Sequence, residues 1–393
     1  MAPGTDRGGQ DRYSARCINS IHDIGRDEWD RLAGTDNPFV LHDFLACLED
    51  SGSASPETGW GPAHVLLEDS RHHLVGAAPA WFKSHSMGEY VFDQGLADAF
   101  ERAGGDYYPK LLVAVPFTPV TGPRLLVGET QAAECEVRQR ALASAIVGLA
   151  RNAEVSSAHI NFLTSQESRV VSRLGFLQRT GIQFHWENRG YASFDGFLAS
   201  LSSRKRKAIR RERREIAASD ISIHRLTGEA LTDEIWDAFY GFYRDTGNRK
   251  WGIPYLTRAF FEQLGQRMAD NVVLIMCRRD GRWIAGALNI RGSSTLFGRY
   301  WGCIEDHRML HFECCYYQAI EHAICNGLAR VEAGAQGGHK IQRGYMPVAT
   351  RSSHWFANRS MHDAVSRYFA DEGVHIGEQA DYIERELSPF RHT

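Results

Sequence analysis

Two stretches of this chain repeat each other 210 residues apart (286 − 76 = 210), and that repeat decides most of what the chain can become. Ala63-His64-Val65-Leu66-Leu67-Glu68, a polar turn, and Leu74-Val75-Gly76-Ala77-Ala78-Pro79-Ala80-Trp81-Phe82 read as strand, turn and strand. Residues 271–277, the turn 278–282 and Trp283-Ile284-Ala285-Gly286-Ala287-Leu288-Asn289-Ile290 read the same way, with Gly286-Ala287 falling where Gly76-Ala77 falls. The flanks repeat as well. A Trp-bearing helical segment (Trp29; Trp236) and a Phe-bearing helix (Phe44; Phe260-Phe261) precede each hairpin. An apolar helix and a strand follow each, 132–150 then 158–162 in the first half, and 312–325 then 329–333 in the second. An internal duplication over about 15–195 and 196–390 follows, leaving 1–14, short, polar and Gly-rich, as a disordered amino terminus. A chain of 393 residues is long for one core and suits two domains.

Charge is distributed unevenly. Residues 202–215 carry eight basic side chains against Glu212 and Glu215, a local balance of 8 − 2 = +6 in a protein of net charge −3. Ser202 or Ser203 is a candidate N-cap, and no Pro or Gly interrupts the run, so a helix is predicted over about 203–218. Lys207, Arg210, Arg211 and Arg214 then share a face, with Arg204 and Lys205 one turn earlier. Such a face suits a ligand with several phosphates; the alternative is a solvated charged helix, which normally intersperses Glu with Lys.

Composition excludes several classes. No apolar run approaches the length of a membrane span and residues 1–10 hold no apolar signal region, so a cytoplasmic protein without stable membrane insertion is expected. The eight cysteines are scattered, without a Cys-x-x-Cys pair or paired His spacing, and read as reduced thiols. Neither a disulfide framework nor a metal site is expected.

The order of helices, hairpin, further strand, helix and strand is similar to that of the GNAT acyltransferase fold. This resemblance implies an α/β (α+β) protein of two tandem GNAT-like domains, each a mixed, mostly antiparallel sheet flanked by helices, with a substrate bound where two strands part. Members that use acyl-CoA carry an Arg/Gln-x-x-Gly-x-Gly/Ala turn whose amides hold the pyrophosphate. Here the matching segments are 302–312, with no glycine pair near the helix start, and Val115-Pro116-Phe117-Thr118-Pro119-Val120-Thr121-Gly122-Pro123-Arg124, whose prolines lack the donors a phosphate needs. Acyl-CoA is therefore the weaker donor.

Further motifs narrow the resemblance: Asp36-Asn37-Pro38-Phe39, the run 83–93 through Glu89-Tyr90-Val91-Phe92-Asp93, and Tyr107-Tyr108-Pro109-Lys110 continuing to Val120. To these add the Ser-Arg-Lys-Arg-Lys helix, Arg299-Tyr300-Trp301-Gly302-Cys303, His311-Phe312-Glu313-Cys314-Cys315-Tyr316-Tyr317-Gln318, and Val331-Glu332-Ala333-Gly334 leading to Gly337-Gly338-His339-Lys340. Over about 30–390 the chain resembles the FemAB-like family, N-acyltransferases of two fused GNAT-type domains. Related Fem-type enzymes of the peptidoglycan bridge take an aminoacyl group from aminoacyl-tRNA and form an amide on an amine. This sequence lacks the heptad-patterned arm some of them insert, so the acceptor is open between a cell-wall precursor or peptide and a small amine such as a natural-product intermediate.

An aminoacyl ester is already activated. Its transfer needs positioning, removal of a proton from the amine and stabilisation of an oxyanion, and no cofactor. Glu313, near the start of the long helix, is a candidate base or a structural carboxylate at the helix dipole; His311 is a second proton acceptor or helix anchor. In the Gly-rich turn, Lys340 is a candidate for the oxyanion and Arg343 for a phosphate, unless the turn is a surface loop. Tyr316 and Tyr317 read as core more than as site. Glu89, Tyr90, Asp93, Tyr108 and Lys110, with Arg299, Trp301 and Glu332, are the candidate acceptor-binding set, expected between the two domains, with Asp93 or Glu89 holding an ammonium and Lys110 a carboxylate. Core packing of the aromatics accounts for much of the same pattern. Two other functions remain open: an acyl-CoA-dependent acetyltransferase on the same fold, and a non-catalytic RNA-binding protein. A monomer is the default, both halves being already fused.

Overall fold

The computed structural model describes residues 13–250, 254–334 and 337–391, and of 247–250 the backbone alone. They fall into two compact units, Met1–Thr180 with Arg351–Glu372, and Gly181–Thr350 with Gly373–Thr393.

In the first unit, β1 (Tyr13–Ile18), β3 (His64–Asp69) and β4 (Leu74–Ala78) make an antiparallel three-stranded sheet. Tyr13 and Ser14 thus belong to a strand and not to a disordered terminus, while the rest of 1–14 lies outside the described residues. The apolar run 74–82 is not one strand. Pro79 has no N–H to give to a ladder, and the chain breaks there into β4 and β5 (Ala80–Lys83), which enter different sheets. The second sheet of this unit runs β2 (Trp60–Pro62), β5, β6 (Lys110–Val113), β7 (Ser157–Asn161), then residues 352–356 of β14 (Met346–Phe356). Only β6 and β7 are parallel there, and the helix Ala132–Asn152 is the crossover such a pair requires. Its Leu142 and Ile146 are fully buried against Val65, Val113 and Ile160.

The second unit is built alike. Residues 181–187 of β8 (Leu177–Glu187), then β13 (Arg330–Glu332), β12 (Thr295–Cys303), β11 (Arg282–Arg291), β10 (Val272–Arg279) and β9 (Ser222–Leu226) form its sheet, with β12 and β13 the parallel pair. The repeated glycines have one reason in both hairpins: a Cβ would stand 2.9 Å from Leu142 Cδ1 at Gly76, and 2.7 Å from Met276 Sδ at Gly286. The helical crossover from β12 to β13 starts at Leu310, two residues before the expected 312. It is not uniform, since Leu310–Phe312 and Gln318–Cys325 are α-helical around a π turn, Glu313–Tyr317.

Two tandem GNAT-like units are therefore present, as the resemblance implies. They are not consecutive halves divided at 195/196. The strand antiparallel to β7 comes from late in the sequence, and the strand antiparallel to β13 from its middle.

In each unit the parallel strands part. β13 pairs with β12 only over Thr295–Phe297, after which β12 continues to Cys303 beside β11 alone. β6 pairs with β7 as far as Val113 and Ile160, and β7 goes on to Asn161. A polar residue stands at each opening: Glu332 in the second unit, Asn161 in the first.

Candidate active site

The basic run is the helix Ser203–Ala217, with Ser202 at the N-cap position but making no side-chain cap hydrogen bond, and it is one residue shorter than expected. Ile209 and Ile216, seven residues apart, are its buried anchors, and the remaining faces are free for charge. Arg204, Lys207, Arg210, Arg211 and Arg214 are exposed and line an open cleft of about 1300 Å³. Beneath them the cleft is floored by apolar side chains, among them Leu198, Ile216, Ile221 and Ile223. Arg210 pairs with Asp195 (2.8 Å), whereas Arg204, Lys207 and Arg211 have no acidic partner among the described residues. Three uncompensated cations on one wall describe an anion-binding surface. Lys205 points elsewhere: it is half-buried, and burial with the neighbouring Arg204 and Arg343 lowers its pKa.

Glu313 fixes this helix in place. The π turn sets its buried carboxylate against Arg213, whose Nε donates to both oxygens (3.2 Å each) and whose Nη2 donates to Oε1 (3.0 Å). Gln318 Nε2 donates to Oε1 as well (2.7 Å). Gln318 in turn accepts from Arg225 of β9 (2.8 Å), and Glu321 accepts from Arg225 (2.6 Å) and Arg213 (3.3 Å). Each charge in this network has an opposite neighbour, which is what makes ion pairs tolerable at low exposure. On the other side of the helix, Glu212 accepts from Arg343 (2.9 Å) and from the Tyr317 hydroxyl. Arg343 itself is buried, stacked 3.5 Å over the Phe312 ring and donating to His339 O (2.8 Å). Its contacts join the basic helix to the Gly-rich turn.

That turn leads to the opening between β12 and β13. Lys340 Nζ donates to Ala333 O and to Gly334 O (3.2 Å), so it holds the backbone directly after Glu332. Burial draws the Lys340 pKa down to about 8. Glu332 is buried too, and burial raises its pKa to about 7 against the pull of Arg330 and Arg299. Its Oε1 lies 3.7 Å from His185 Nδ1, too far for a hydrogen bond, and its Oε2 has no hydrogen-bond partner among the described residues. His185, which sequence reading did not select, sits in β8 opposite Glu332 and is kept neutral by burial, with a pKa near 3. At the rim, Arg299 stacks on Tyr300 (5.3 Å), and His311 meets the Trp301 ring edge-on (5.4 Å) and the His339 ring at 5.9 Å.

A carboxylate that titrates near neutrality makes stability depend on pH. The folded pKa of Glu332 lies above its ordinary 4.5, so its contribution is complete below about 4.5 and is lost as pH rises through about 7. Glu332→Gln should therefore gain about 1–3 kcal/mol relative to the native chain between pH 5 and pH 8, read by urea denaturation at both values. Equal differences at the two pH values would contradict the burial of this acid.

The remaining candidates lie in the first unit, and they meet each other. Lys110, fully buried, donates to Glu89 (2.9 Å), to Ser86 Oγ (2.9 Å) and to Asp93. Tyr107 donates to Asp93 (2.7 Å), and Tyr108 shares a 2.7 Å hydrogen bond with Ser86. Burial raises Glu89 to about 7; against the same burial, the Lys110 ammonium holds Asp93 well below the usual carboxylate range. The ammonium and carboxylates expected to grip a substrate are thus, in this fold, one another's partners. Tyr90 stays exposed. Two groups here escaped the sequence reading: Lys83, over the Trp60 ring at 3.7 Å and drawn to about 7 by burial, and the buried pair His159 and His354, whose Nδ1 atoms are 2.7 Å apart.

Among the described residues no helix is long and apolar enough to cross a membrane, and no cluster of His, Cys, Asp and Glu is arranged to hold a metal. Residues 20–392 match the FemAB-like family, described as peptidoglycan biosynthesis/recognition. Among solved structures, the chain is similar to FemX, with a TM-score of 0.55 at 12% identity, covering 87% of this chain and 98% of that one. It is also similar to L-PGS from Bacillus licheniformis, with a TM-score of 0.50 at 10% identity, covering 85% and 98%. At such identities the likeness is one of fold. No curated protein matches the chain.

Proposed function

The chain belongs to the FemAB-like family, and on that premise we propose that this GNAT-like acyltransferase moves an aminoacyl group from aminoacyl-tRNA to an amine. The observation that carries the reading is the cleft in the second unit, walled by Arg204, Lys207, Arg211 and Arg214. Regularly spaced cations of one sign match the repeated phosphates of an RNA stem, and they bind by releasing counter-ions. Coenzyme A fits less well. The segment before Leu310, where a GNAT-type pyrophosphate would sit, carries Glu305 and Asp306, and the nearby cations Arg279 (3.3 Å) and Arg282 (3.6 Å) are already engaged by Glu305.

In this reading the second unit's own residues do the rest. Glu313 positions the basic helix through Arg213. Glu332, at the opening between β12 and β13, has an oxygen, Oε2, without a hydrogen-bond partner among the described residues and a pKa near 7, which suits it to take a proton from an incoming ammonium. Lys340 uses two of its three N–H donors on backbone carbonyls, leaving one for the developing oxyanion. His311 lines the rim without being asked to carry the proton. Neither a covalent intermediate nor a cofactor is needed, because the ester is already reactive. The acceptor is an amine, from a small molecule, a peptide or a cell-wall precursor.

Binding separates the donors. Purified protein titrated with charged and uncharged tRNA, and in parallel with coenzyme A and acetyl-CoA, should bind RNA with about micromolar affinity or tighter, weakening steeply with salt. Saturable coenzyme A binding without RNA binding would overturn the proposal in favour of an acyl-CoA donor.

A further inference from the structure

The proline-rich segment 115–124 ends in an unusual residue. Arg124 is fully buried in the first unit, where Nη2 donates to Val120 O (2.6 Å), Nη1 donates to Pro123 O (3.0 Å), and Nε has no partner among the described residues. Burial lowers its pKa to about 10, opposed by Glu167, so it remains charged at neutral pH. Glu167 does not pair with the guanidinium. Its Oε1 accepts from the backbone N–H groups of Arg124 and Leu125 (2.7 Å each), and its Oε2 accepts from Thr164. A buried guanidinium whose hydrogen bonds go only to carbonyl oxygens, with Glu167 acting on it without direct contact, is a costly arrangement that a closer counter-ion relieves.

Other unsatisfied groups gather around the same place. Asn37 Nδ2, Thr121 Oγ1 and both side-chain polar atoms of Asn161 lack hydrogen-bond partners among the described residues. Asn37 and Asn161 are 4% and 1% exposed, so water does not satisfy them freely. Gly122 is the hub. A Cβ there would stand 2.0 Å from Asn37 Nδ2 and 3.6 Å from Arg124 Nη1, a closeness only glycine permits. The Gly122 N–H donates to Phe162 O (3.0 Å), the residue after Asn161, and Asn161 is the end of β7 at the opening beyond β6. Donors predominate: two amide N–H₂ groups, a guanidinium N–H and a hydroxyl, against one obligate acceptor, Asn161 Oδ1.

We propose that this opening in the first unit is a carboxylate-binding site, formed by Arg124, Asn37, Thr121 and Asn161, for a small carboxylic acid or the carboxylate end of an amino acid or peptide. A single negative charge matches the single cation. A planar pair of oxygens suits a guanidinium edge beside amide N–H groups, whereas a phosphate lacks here the backbone donors that Pro116, Pro119 and Pro123 remove. The proposal holds whichever donor the second unit uses.

Asn37→Asp tests it inside the intact chain. Asn37 Oδ1 caps the Phe39 N–H (3.0 Å), a role aspartate fills equally, while the substituted oxygen replaces Nδ2 beside Arg124 and supplies the anion from within. Titration calorimetry and thermal unfolding would be followed with N-acetylglycine, glycinamide and inorganic phosphate as probes. N-acetylglycine is expected to bind saturably and raise the melting temperature of the native chain, glycinamide to do neither, and phosphate to act at least tenfold more weakly. Asn37→Asp is expected to raise the ligand-free melting temperature by about 2–4 °C and to abolish the N-acetylglycine response. No response of the native chain to N-acetylglycine, an equal response to glycinamide or phosphate, or a response retained in Asn37→Asp would each overturn the site. The native-chain titration decides the matter even if the variant folds poorly.

Discussion

Lys110→Met is expected to destabilise the protein by about 3–5 kcal/mol, because it strands two buried carboxylates that the ammonium now holds. Methionine fills the stem of the side chain, so little of the loss comes from a cavity. Glu89 and Asp93 are both nearly inaccessible, at 4% and 2% exposure, and cannot turn to water. Asp93 suffers more, since its pKa is depressed and it stays ionised, whereas Glu89 titrates near 7 and can hold a proton instead. The contribution of Asp93 is in force above its unfolded value of about 3.8 and is lost as pH falls through its lower folded value, so the native chain should weaken in acid. Adding Asp93→Asn to Lys110→Met should recover part of the loss. Urea denaturation at pH 7 measures both; a loss below about 1 kcal/mol for Lys110→Met would mean the charges are solvated after all.

The second large effect concerns binding. The triple change Arg204→Glu, Lys207→Glu and Arg211→Glu alters three exposed cations that make no ion pair among the described residues, so the fold should keep its melting temperature within a few degrees. Affinity for tRNA should fall at least about 100-fold, from roughly 1 kcal/mol for each phosphate contact removed. The slope of log affinity against log salt should become shallower by about one for each residue. Arg213→Glu is not an equivalent probe. It would break the pairs to Glu313 and Glu321 and displace the helix itself.

The sequence showed the repeated hairpins and the basic helix because both rest on local pattern: period-two apolar runs with turn residues between them, and an uninterrupted run of helix formers. It did not show which strands join which unit. β8 and β14 take their places by long-range pairing, for which 177–187 and 346–356 carry no local signal. The break at Pro79 was written in the sequence, yet the apolar run around it outweighed one proline. The π turn at Glu313–Tyr317 has no sequence mark, and it changes what Glu313 can do. At its position near the helix start the residue suits a base as well as a structural carboxylate; the fold gives both its oxygens to Arg213 and Gln318. Glu332, read as one of the acceptor-binding set, is the acid whose burial leaves Oε2 without a hydrogen-bond partner among the described residues. His185 escaped notice because a single His within Phe184-His185-Trp186 looks like core, and its importance comes from β13 lying opposite. In the same way, the prolines of 115–124 identified what that segment lacks, while only the fold brings Asn37 and Arg124 to Gly122.

Transfer itself is the most direct test of the aminoacyl-tRNA reading. Bulk tRNA charged with a mixture of labelled amino acids would be incubated with the protein and a pool of small-molecule and peptide amines, with labelled acetyl-CoA as the parallel donor. The account predicts that label passes from RNA into products stable to mild base, as amides are and esters are not, and that the passage is lost in the Arg204, Lys207 and Arg211 triple variant. Label that remains on RNA or appears only as free amino acid, while the acetyl group is transferred from acetyl-CoA, would contradict it.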